Sequence, residues 1–533
     1  MSYLLSFILF FFVSALEAEA FFSKNKISTQ PNIIIFYVDD LGWADTSVPM
    51  MNDDKESFDD FNQTPALETL AKRGMKFSNA YAPAPTCTPS RKSIQLGKTP
   101  GRLQYTFVND VLALKRQLKW GEHTSLADVI KGSQTNYITA HFGKGMENEF
   151  MQVLGYDVTD EYDIGPNGNF HGEYIDIKGR VPLSDDDPKR INSLTRSSVE
   201  FINEQAGNRP FFMMVSHYAV HVPHAASAEL IEKYRNLPRG KYCQDDDYLD
   251  PNKMNHGKRI TSWRLQYAAM LEAVDANLGA ILEALEQNSI TDETYVIFTS
   301  DNGGGMNPNG SLRGCKANLY EGGLRVPFVV AGPDVLEGVQ CDVPIVQWDL
   351  LPTLHDLAGN KSVLPKDLDG GSLKSVFEQG NKGIVKRSEE GFIFHYPCYF
   401  APPLSVIRLG DYKLMRHIRT KEIRLFDLKN DHSEKQDLAQ KLPEKVAEIE
   451  KILDAYLDKI DAESLDAVYE ARFEQLDKFE AQSVIQYERN VKHLDVVVDA
   501  EKINFFEDKL EKDKLRFADN REEVRRNMMS TDW

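Results

Sequence analysis

Two runs of continuous β-formers constrain this chain more than any other feature: Ile33-Ile34-Ile35-Phe36-Tyr37-Val38 and Thr294-Tyr295-Val296-Ile297-Phe298-Thr299-Ser300. Neither alternates apolar with polar residues, so each reads as a strand buried on both faces, as in a parallel sheet covered by helices. Each run stops at oxygen donors. The first ends in Asp39-Asp40-Leu41-Gly42 and the second in Asp301-Asn302-Gly303-Gly304-Gly305. Open α/β sheets hold ligands at the carboxyl ends of their strands. Two adjacent carboxylates without a basic neighbour repel unless a cation holds them. For Asp39-Asp40 taken alone, an Asx turn is an equal reading. With both strands in one sheet, Asp39, Asp40, Asp301 and Asn302 can form a hard-cation site suited to Ca²⁺ or Mg²⁺ rather than zinc.

The stretches between these runs alternate helix with strand. Helical spacing over 67–73 is closed by Gly74, and over 124–131 by Gly132. A strand over 137–142 finishes in Gly143-Lys144. Another, 210–215, delivers His217, His221 and His224, whose spacing on an irregular segment requires no metal cluster. The fold class is therefore α/β, a large mixed, mostly parallel sheet flanked by helices. From about residue 384 short alternating strands at 392–394, 405–408, 412–415 and 424–428, then a helix over 442–460, predict a smaller antiparallel-sheet subdomain. Apolar residues at three- and four-residue steps from Leu465 to Val498 predict an amphipathic helical extension. It packs on the chain's own surface or joins two chains as a homo-oligomer. The domain boundaries follow: 1–20 a leader, 28–383 the main α/β domain, 384–460 the antiparallel subdomain, and 461–533 the extension.

A chain of 533 residues, 42% hydrophobic, can bury a large core. Its net charge of −19 argues against nucleic acid as a partner, so an anionic ligand must be held locally. The apolar run 4–13 is too short to span a bilayer, and Ala18-Glu19-Ala20 has cleavage spacing, so residues 1–20 read as a signal peptide of an exported protein. A retained anchor is the alternative. No later segment is long and apolar enough to span a membrane. The five cysteines contain no Cys-x-x-Cys pair and leave room for one or two disulfides. Asn62, Asn309 and Asn360 head glycan-acceptor triplets for a eukaryotic secretory pathway.

Cys87-Thr88-Pro89-Ser90-Arg91, followed by Gly97-Lys98, comes after a Pro-spaced run and opens a short helix-like segment. Free N–H groups and the helix dipole favour an anion there. Cys-x-Pro-Ser-Arg with the following Gly-Lys resembles the signature of the formylglycine-dependent (type I) sulfatases of the alkaline phosphatase superfamily. The strand-Asp-Asp and strand-Asp-Asn-Gly motifs match the same family. So do the Gly143-Lys144 turn, His221 in its segment, and Arg313-Gly314-Cys315-Lys316 with Tyr320-Glu321-Gly322-Gly323-Leu324-Arg325-Val326-Pro327. The resemblance runs from Pro31 to Ile460 with its motifs in family order.

That resemblance implies that Cys87 is oxidised to 3-oxoalanine (formylglycine) by a formylglycine-generating enzyme. It implies one divalent metal, usually Ca²⁺, with Mg²⁺ as the alternative, held by Asp39, Asp40, Asp301, Asn302 and the residue made from Cys87. It assigns Cys87, Arg91, Lys144, His221 and Lys316 to catalysis, with Lys144, His221 and Lys316 also contacting substrate. One position departs. The family commonly has His where this chain has Met146, and His141 is a candidate stand-in. His395, His217 and His224 are candidates for sugar contacts. The expected activity is hydrolysis of sulfate monoesters, carbohydrate sulfates with aryl sulfates as artificial substrates: the hydrated aldehyde attacks sulfur in line, the alcohol leaves with a proton from His221 or Lys316, and the second hydroxyl expels sulfate. Alternatives are a phosphodiesterase or phosphonate monoester hydrolase on the same site, or a non-catalytic sulfated-glycan-binding protein.

Overall fold

The computed structural model describes residues 30–529 except 117, 133–135, 146–150, 161, 164–174, 177–186, 223, 244–253, 256–257, 260–262, 306–308 and 493–499. The leader 1–20 and Met146 therefore lie outside the described residues. The main sheet has eight strands: β1 (Asn32–Val38), β2 (Met75–Phe77), β3 (Ile138–Gly143), β4 (Val158–Thr159), β5 (Phe211–Ser216), β6 (Thr294–Ser300), β7 (Phe328–Ala331) and β8 (Val339–Cys341). Their order is β8-β2-β7-β6-β1-β5-β3-β4. β1 runs parallel to both β6 and β5, and β3 is parallel to β5 and β4, while β7 is antiparallel to β6 and β2. The expected mixed, mostly parallel sheet is what the chain builds.

β1 is buried along its whole length, as its unbroken apolar run requires. Its alternate residues feed two cores. Ile33, Ile35 and Tyr37 join a cluster with helices α2 (Cys87–Leu96), α3 (Leu126–Lys131) and α6 (Leu350–Leu357). Ile34, Phe36 and Val38 join the opposite cluster with α1 (Pro65–Arg73), α4 (Ile191–Gln205) and α5 (Trp263–Gln287). The result is three layers, helix on sheet on helix. β2 and β8 have only three residues each and carry no periodicity long enough to read in sequence. Register places the chemistry: Val38 pairs with Ser300, so Asp39 and Asp301 leave the sheet side by side.

The smaller sheet is antiparallel, β9 (Phe392–Tyr396), β10 (Leu404–Leu409), β11 (Tyr412–His417) and β12 (Ile423–Asp427) in that order. Helix α7 (Pro443–Lys459) covers one face, seating Ile449, Leu453 and Tyr456 against Ile393, Ile407 and Leu414. The other face, with Phe392, Phe394 and Met415, meets Tyr81 and Trp348 of the large domain. The extension forms α8 (Leu465–Val491) and α9 (Ala500–Met529), and buries Leu465, Tyr469, Leu476, Phe517 and Val524 in that same cluster. It packs on the molecule's own core. Among the described residues no helix is long and apolar enough to cross a membrane.

Two possibilities that the sequence left open are not realised here. All five cysteines are free thiols, so no disulfide staples the chain. The three triplet asparagines are buried and their side-chain amides are committed: Asn62 donates to the Asp45 carbonyl at 2.7 Å, Asn309 to that of Gly314 at 2.9 Å, and Asn360 to that of Val129 at 2.6 Å. None can carry a glycan on the folded chain.

A buried charge network fastens the small sheet to the large domain. Lys413 on β11 bridges Glu321 at 2.9 Å and Glu434 at 2.8 Å, Glu321 also holds Arg325 at 2.5 Å, and Tyr81 donates to Glu321 while accepting from Arg408. Removing one partner of such a network strands charge in a low dielectric. Lys413→Ala should cost about 3–5 kcal/mol of stability in denaturant titration, because two carboxylates lose their shared cation. A loss below about 1 kcal/mol would show that the network is not energetically coupled.

Candidate active site

The site lies at the carboxyl ends of β1, β6, β3 and β5, where parallel strands leave a crevice. Asp40 takes a left-handed backbone, φ 62°, which turns its N–H onto Asp301 Oδ1 at 3.1 Å. Asn302 Nδ2 donates to Asp40 Oδ1 at 2.8 Å. Two neighbouring strand ends are thereby locked to each other before any ligand enters.

Helix α2 starts at Cys87 and points its first turn into this crevice. Arg91, four residues on, shares the face of Cys87. Its Nε reaches Asp301 Oδ2 at 2.9 Å and its Nη1 reaches Ser216 Oγ at 2.5 Å and the Lys144 carbonyl at 2.9 Å. Its Nη2 lies 3.7 Å from Asp39 Oδ1. The guanidinium is only 3% exposed, so it works as a buried counter-charge beneath the carboxylates. Lys144 follows a glycine that the turn requires: Gly143 has φ 96°, and a Cβ there would stand 2.0 Å from the Ser216 carbonyl oxygen. This turn sends Lys144 Nζ to Asp39 Oδ2 at 2.5 Å. From the opposite side Lys316 Nζ meets Asp40 at 2.7 Å. His221 Nδ1 bonds the Val222 carbonyl at 2.6 Å, which assigns the proton to Nδ1 and leaves Nε2 facing Asp40 Oδ2 at 3.7 Å.

Ligand atoms of Asp39, Cys87 and Asp301 all fall within 4.8 Å of one another. Burial opposes ionisation of Asp39, but Lys144 and Arg91 outweigh it and hold its carboxyl well below the usual range. Asp301 goes the other way. Burial together with Asp39 and Asp40 pushes it up to about 7 despite Arg91. Burial also raises the Cys87 thiol, so the unmodified side chain is a poor thiolate nucleophile. Lys316 is loaded with its proton, since Asp40 overcomes the effect of burial.

The residues present fit a hard divalent cation. Asp39 Oδ1 and Asn302 Oδ1 are buried without a hydrogen-bond partner, although such atoms are ordinarily satisfied. Together with Asp40 and Asp301 they form an all-oxygen donor set of high negative charge, the kind that suits Ca²⁺ or Mg²⁺.

The structure thus brings together Asp39, Asp40, Cys87, Arg91, Lys144, His221, Lys316, Asp301 and Asn302. Other histidines go elsewhere. His395 sits in β9, its Nδ1 2.9 Å from Ser405 Oγ and its Nε2 2.8 Å from the Glu463 carbonyl, so neither ring nitrogen is left for a sugar. His217 is a core residue against Phe36 and Asn277, held neutral by burial at about 3. His224, by contrast, packs against Trp263 and edge-on to Tyr267 while half-buried and within the field of Asp40 and His221, so it stays at the edge of the site. His141 lies inside β3 beside Tyr156, and burial lowers it to about 3, which removes it as a proton carrier at neutral pH. Lys189 was not foreseen. It is buried on a left-handed turn, φ 57°, and feels the charges of Asp39, Asp40 and Lys144, while burial brings its ammonium down to about 8. Nothing in Asp187-Pro188-Lys189-Arg190 marks it locally; its partners come from other strands.

The family model described as sulfatase matches residues 31–360, and the model for the C-terminal part of N-sulphoglucosamine sulphohydrolase matches 315–463. A sulfatase of Formosa agariphila is 28% identical over 79% of this chain and 86% of its own length. N-acetylgalactosamine-6-sulfatase of Rattus norvegicus is 26% identical over 72% of this chain and 71% of its own. Human arylsulfatase A is 26% identical over 73% and 75%. A solved structure in complex with its substrate D-glucosamine-2-N,6-O-disulfate superimposes with TM-score 0.64 at 20% identity, covering 81% of this chain and 98% of that one. Fold and site define a sulfuric ester hydrolase on an alkaline-phosphatase-like scaffold. This chain belongs to the sulfatase family.

Asp301 provides a test of the cation site. Metal-free, it keeps its proton up to about pH 7 and must release it to become a ligand. Calcium affinity, measured by calorimetry, should therefore weaken about tenfold per pH unit below that point and level off above it. Affinity independent of pH between about 5 and 8 would show that Arg91 keeps Asp301 ionised before the metal arrives, and unchanged affinity in Asp301→Ala would remove it from the ligand set.

Proposed function

We propose that this sulfatase removes sulfate from terminal positions of extracellular carbohydrates, using a formylglycine made from Cys87 and a Ca²⁺ ion held by Asp39, Asp40, Asp301 and Asn302. The observation that carries the reading is the convergence of Arg91, Lys144 and Lys316 on the oxygen cluster beside Cys87. A formylglycine hydrate supplies the nucleophilic hydroxyl, and the cation supplies charge that orients the sulfate oxygens. The chain's own residues do the remainder. Lys144 and Lys316, each on a short ion pair, are preorganised to exchange a carboxylate oxygen for a sulfate oxygen as charge develops. Arg91 fixes Asp301 and Asp39 so that the ring of oxygens does not open.

The leaving alcohol needs a proton. His221 is held neutral by burial despite Asp39 and Asp40, whereas Lys316 stays protonated and lies on the Asp40 side of the site. Lys316 is accordingly the proton donor, and His221 Nε2, which carries no proton, accepts from the hydroxyl of the departing alcohol once that proton has been delivered. Lys316→Ala should lower kcat on alkyl and sugar sulfates about 10²-fold, yet much less on 4-nitrophenyl sulfate, whose phenolate leaves without help. Equal losses on both classes would return Lys316 to a purely electrostatic role.

Several relatives are named for carbohydrate substrates, among them N-acetylgalactosamine-6-sulfatase and an ulvan-active sulfatase of Formosa agariphila. Net charge −19 disfavours approach of a long polyanion and favours a small or terminal sulfate. Export through residues 1–20 and maturation by a formylglycine-generating enzyme complete the proposal. Sulfate release from defined sulfated mono-, oligo- and polysaccharides tests it. Rates that rise with chain length and favour internal sulfates would overturn the terminal preference. Activity confined to aryl sulfates would overturn the carbohydrate assignment, and faster turnover of nitrophenyl phosphate than nitrophenyl sulfate would overturn the ester class. Cys87→Ala should abolish sulfate release with the fold intact, and peptide mass spectrometry should find the aldehyde at position 87 in active protein.

A further inference from the structure

Helices α8 and α9 lie beyond residue 463, where the family matches end. They do more than cover apolar surface, because two polar contacts, one from each helix, meet on a single residue. Arg472 of α8 holds its guanidinium carbon 4.7 Å from the ring centroid of Tyr399. Asn527 of α9 donates its side-chain amide to the Tyr399 carbonyl at 2.9 Å. Tyr399 belongs to the loop 397–403 between β9 and β10. Three of those seven residues are prolines, which have no N–H to donate, so the loop depends on side chains for its shape.

From Tyr399 the contacts run inward. Phe107 packs edge-on against Tyr399 at 5.4 Å and against Tyr396 at 6.2 Å. Tyr396 ends β9, and its hydroxyl and that of Thr86 are both buried without a hydrogen-bond partner, the Tyr396 hydroxyl lying within the field of Cys398 first and then of Thr86 and Cys87. Thr86 is the residue from which α2 starts. Tyr396, Tyr399, Phe107, Leu476, Phe517 and Val524 are members of one buried cluster, so no solvent layer interrupts the path.

We infer that the α8–α9 hairpin is a positioning element of the active site: by clamping Tyr399 through Arg472 and Asn527 it holds Tyr396 against Thr86 and so fixes where Cys87 stands at the head of α2. The inference rests on the sulfatase reading for its kinetic consequence. A nucleophile displaced by a fraction of an ångström attacks less often, while binding of the anion to Lys144 and Lys316 is untouched.

The test is the double variant Arg472→Ala with Asn527→Ala, both partly exposed sites whose loss leaves the core intact. On 4-nitrophenyl sulfate, kcat should fall about 5- to 20-fold with KM unchanged, once rates are corrected for formylglycine content at position 87 measured by mass spectrometry. Arg472→Lys with Asn527 retained should recover most of the rate, since an ammonium can still sit over the ring. Amide hydrogen exchange should quicken in the double variant at Phe400, whose N–H bonds Cys398 Sγ, and at Ser90, whose N–H bonds the Thr86 carbonyl at the head of α2, while Tm stays within a few degrees. A corrected kcat within twofold of wild type, a rise in KM in place of a fall in kcat, or unchanged exchange at Ser90 would each overturn the inference. If the wild-type protein released no sulfate, the sulfatase reading would fall; the exchange comparison would still decide whether the hairpin clamps the head of α2.

Discussion

The structure depends on keeping three carboxylates together at the ends of two adjacent strands. Parallel pairing in register makes Asp39 and Asp301 neighbours whether or not their charges agree, and Asp40 turns back over Asp301. Like charges at such separations in a dry site repel by several kcal/mol. Arg91 makes the arrangement tenable: it comes up from α2, binds Asp301 in two places and ties the β3 and β5 ends through the Lys144 carbonyl and Ser216. Four strand ends and one helix are thus held by one guanidinium. Its planar fork suits that task, and an ammonium could not make these bonds at once.

Much of this was legible because the informative residues stand in contiguous motifs. Unbroken apolar runs that end in Asp-Asp and Asp-Asn-Gly announce both buried strands and the oxygen cluster, and the Cys-x-Pro-Ser-Arg segment places Cys87 and Arg91 one helical turn apart. The misses have physical causes. His395 sits two residues before an exposed-looking Pro-Cys-Tyr-Phe stretch, but its burial follows from a pleat that only the folded sheet defines. Asn309 and Asn360 head loop triplets whose polarity suggests surface, yet their amides fill backbone donors' places inside the fold. Lys189 is reached only through tertiary contacts with Asp39 and Asp40, which lie about 150 residues away in sequence. Three-residue strands such as β2 are too short for a period to be counted.

The junction of the two sheets shows how a signature can carry architecture as well as chemistry. In the run from Lys316 to Pro327, Lys316 faces Asp40, whereas Glu321 and Arg325, a few residues on, point into the buried network with Lys413, Glu434, Tyr81 and Arg408. A single segment therefore ties the position of Lys316, on Asp40, to the seat of the small sheet. The same sheet ends at Tyr396 next to the head of α2 and receives the C-terminal hairpin on that side.

The charges of the site also order the sequence of binding. Asp39, Asp40 and Asp301 face Arg91, Lys144 and Lys316, and ion pairs of 2.5–2.8 Å join Lys144 to Asp39, Lys316 to Asp40 and Arg91 to Asp301. Each lysine is spent on an aspartate, so without a metal neither is free to meet an incoming anion. A divalent cation held by these oxygens would change the balance by two charges, and Lys144 and Lys316, relieved of Asp39 and Asp40, would then be free to face an anion. Cation and anion would bind with positive coupling, each raising the affinity of the other by the same factor. Asp39 Oδ1 and Asn302 Oδ1, buried and accepting no hydrogen bond, are the standing cost of that arrangement, since strand register holds them at this point.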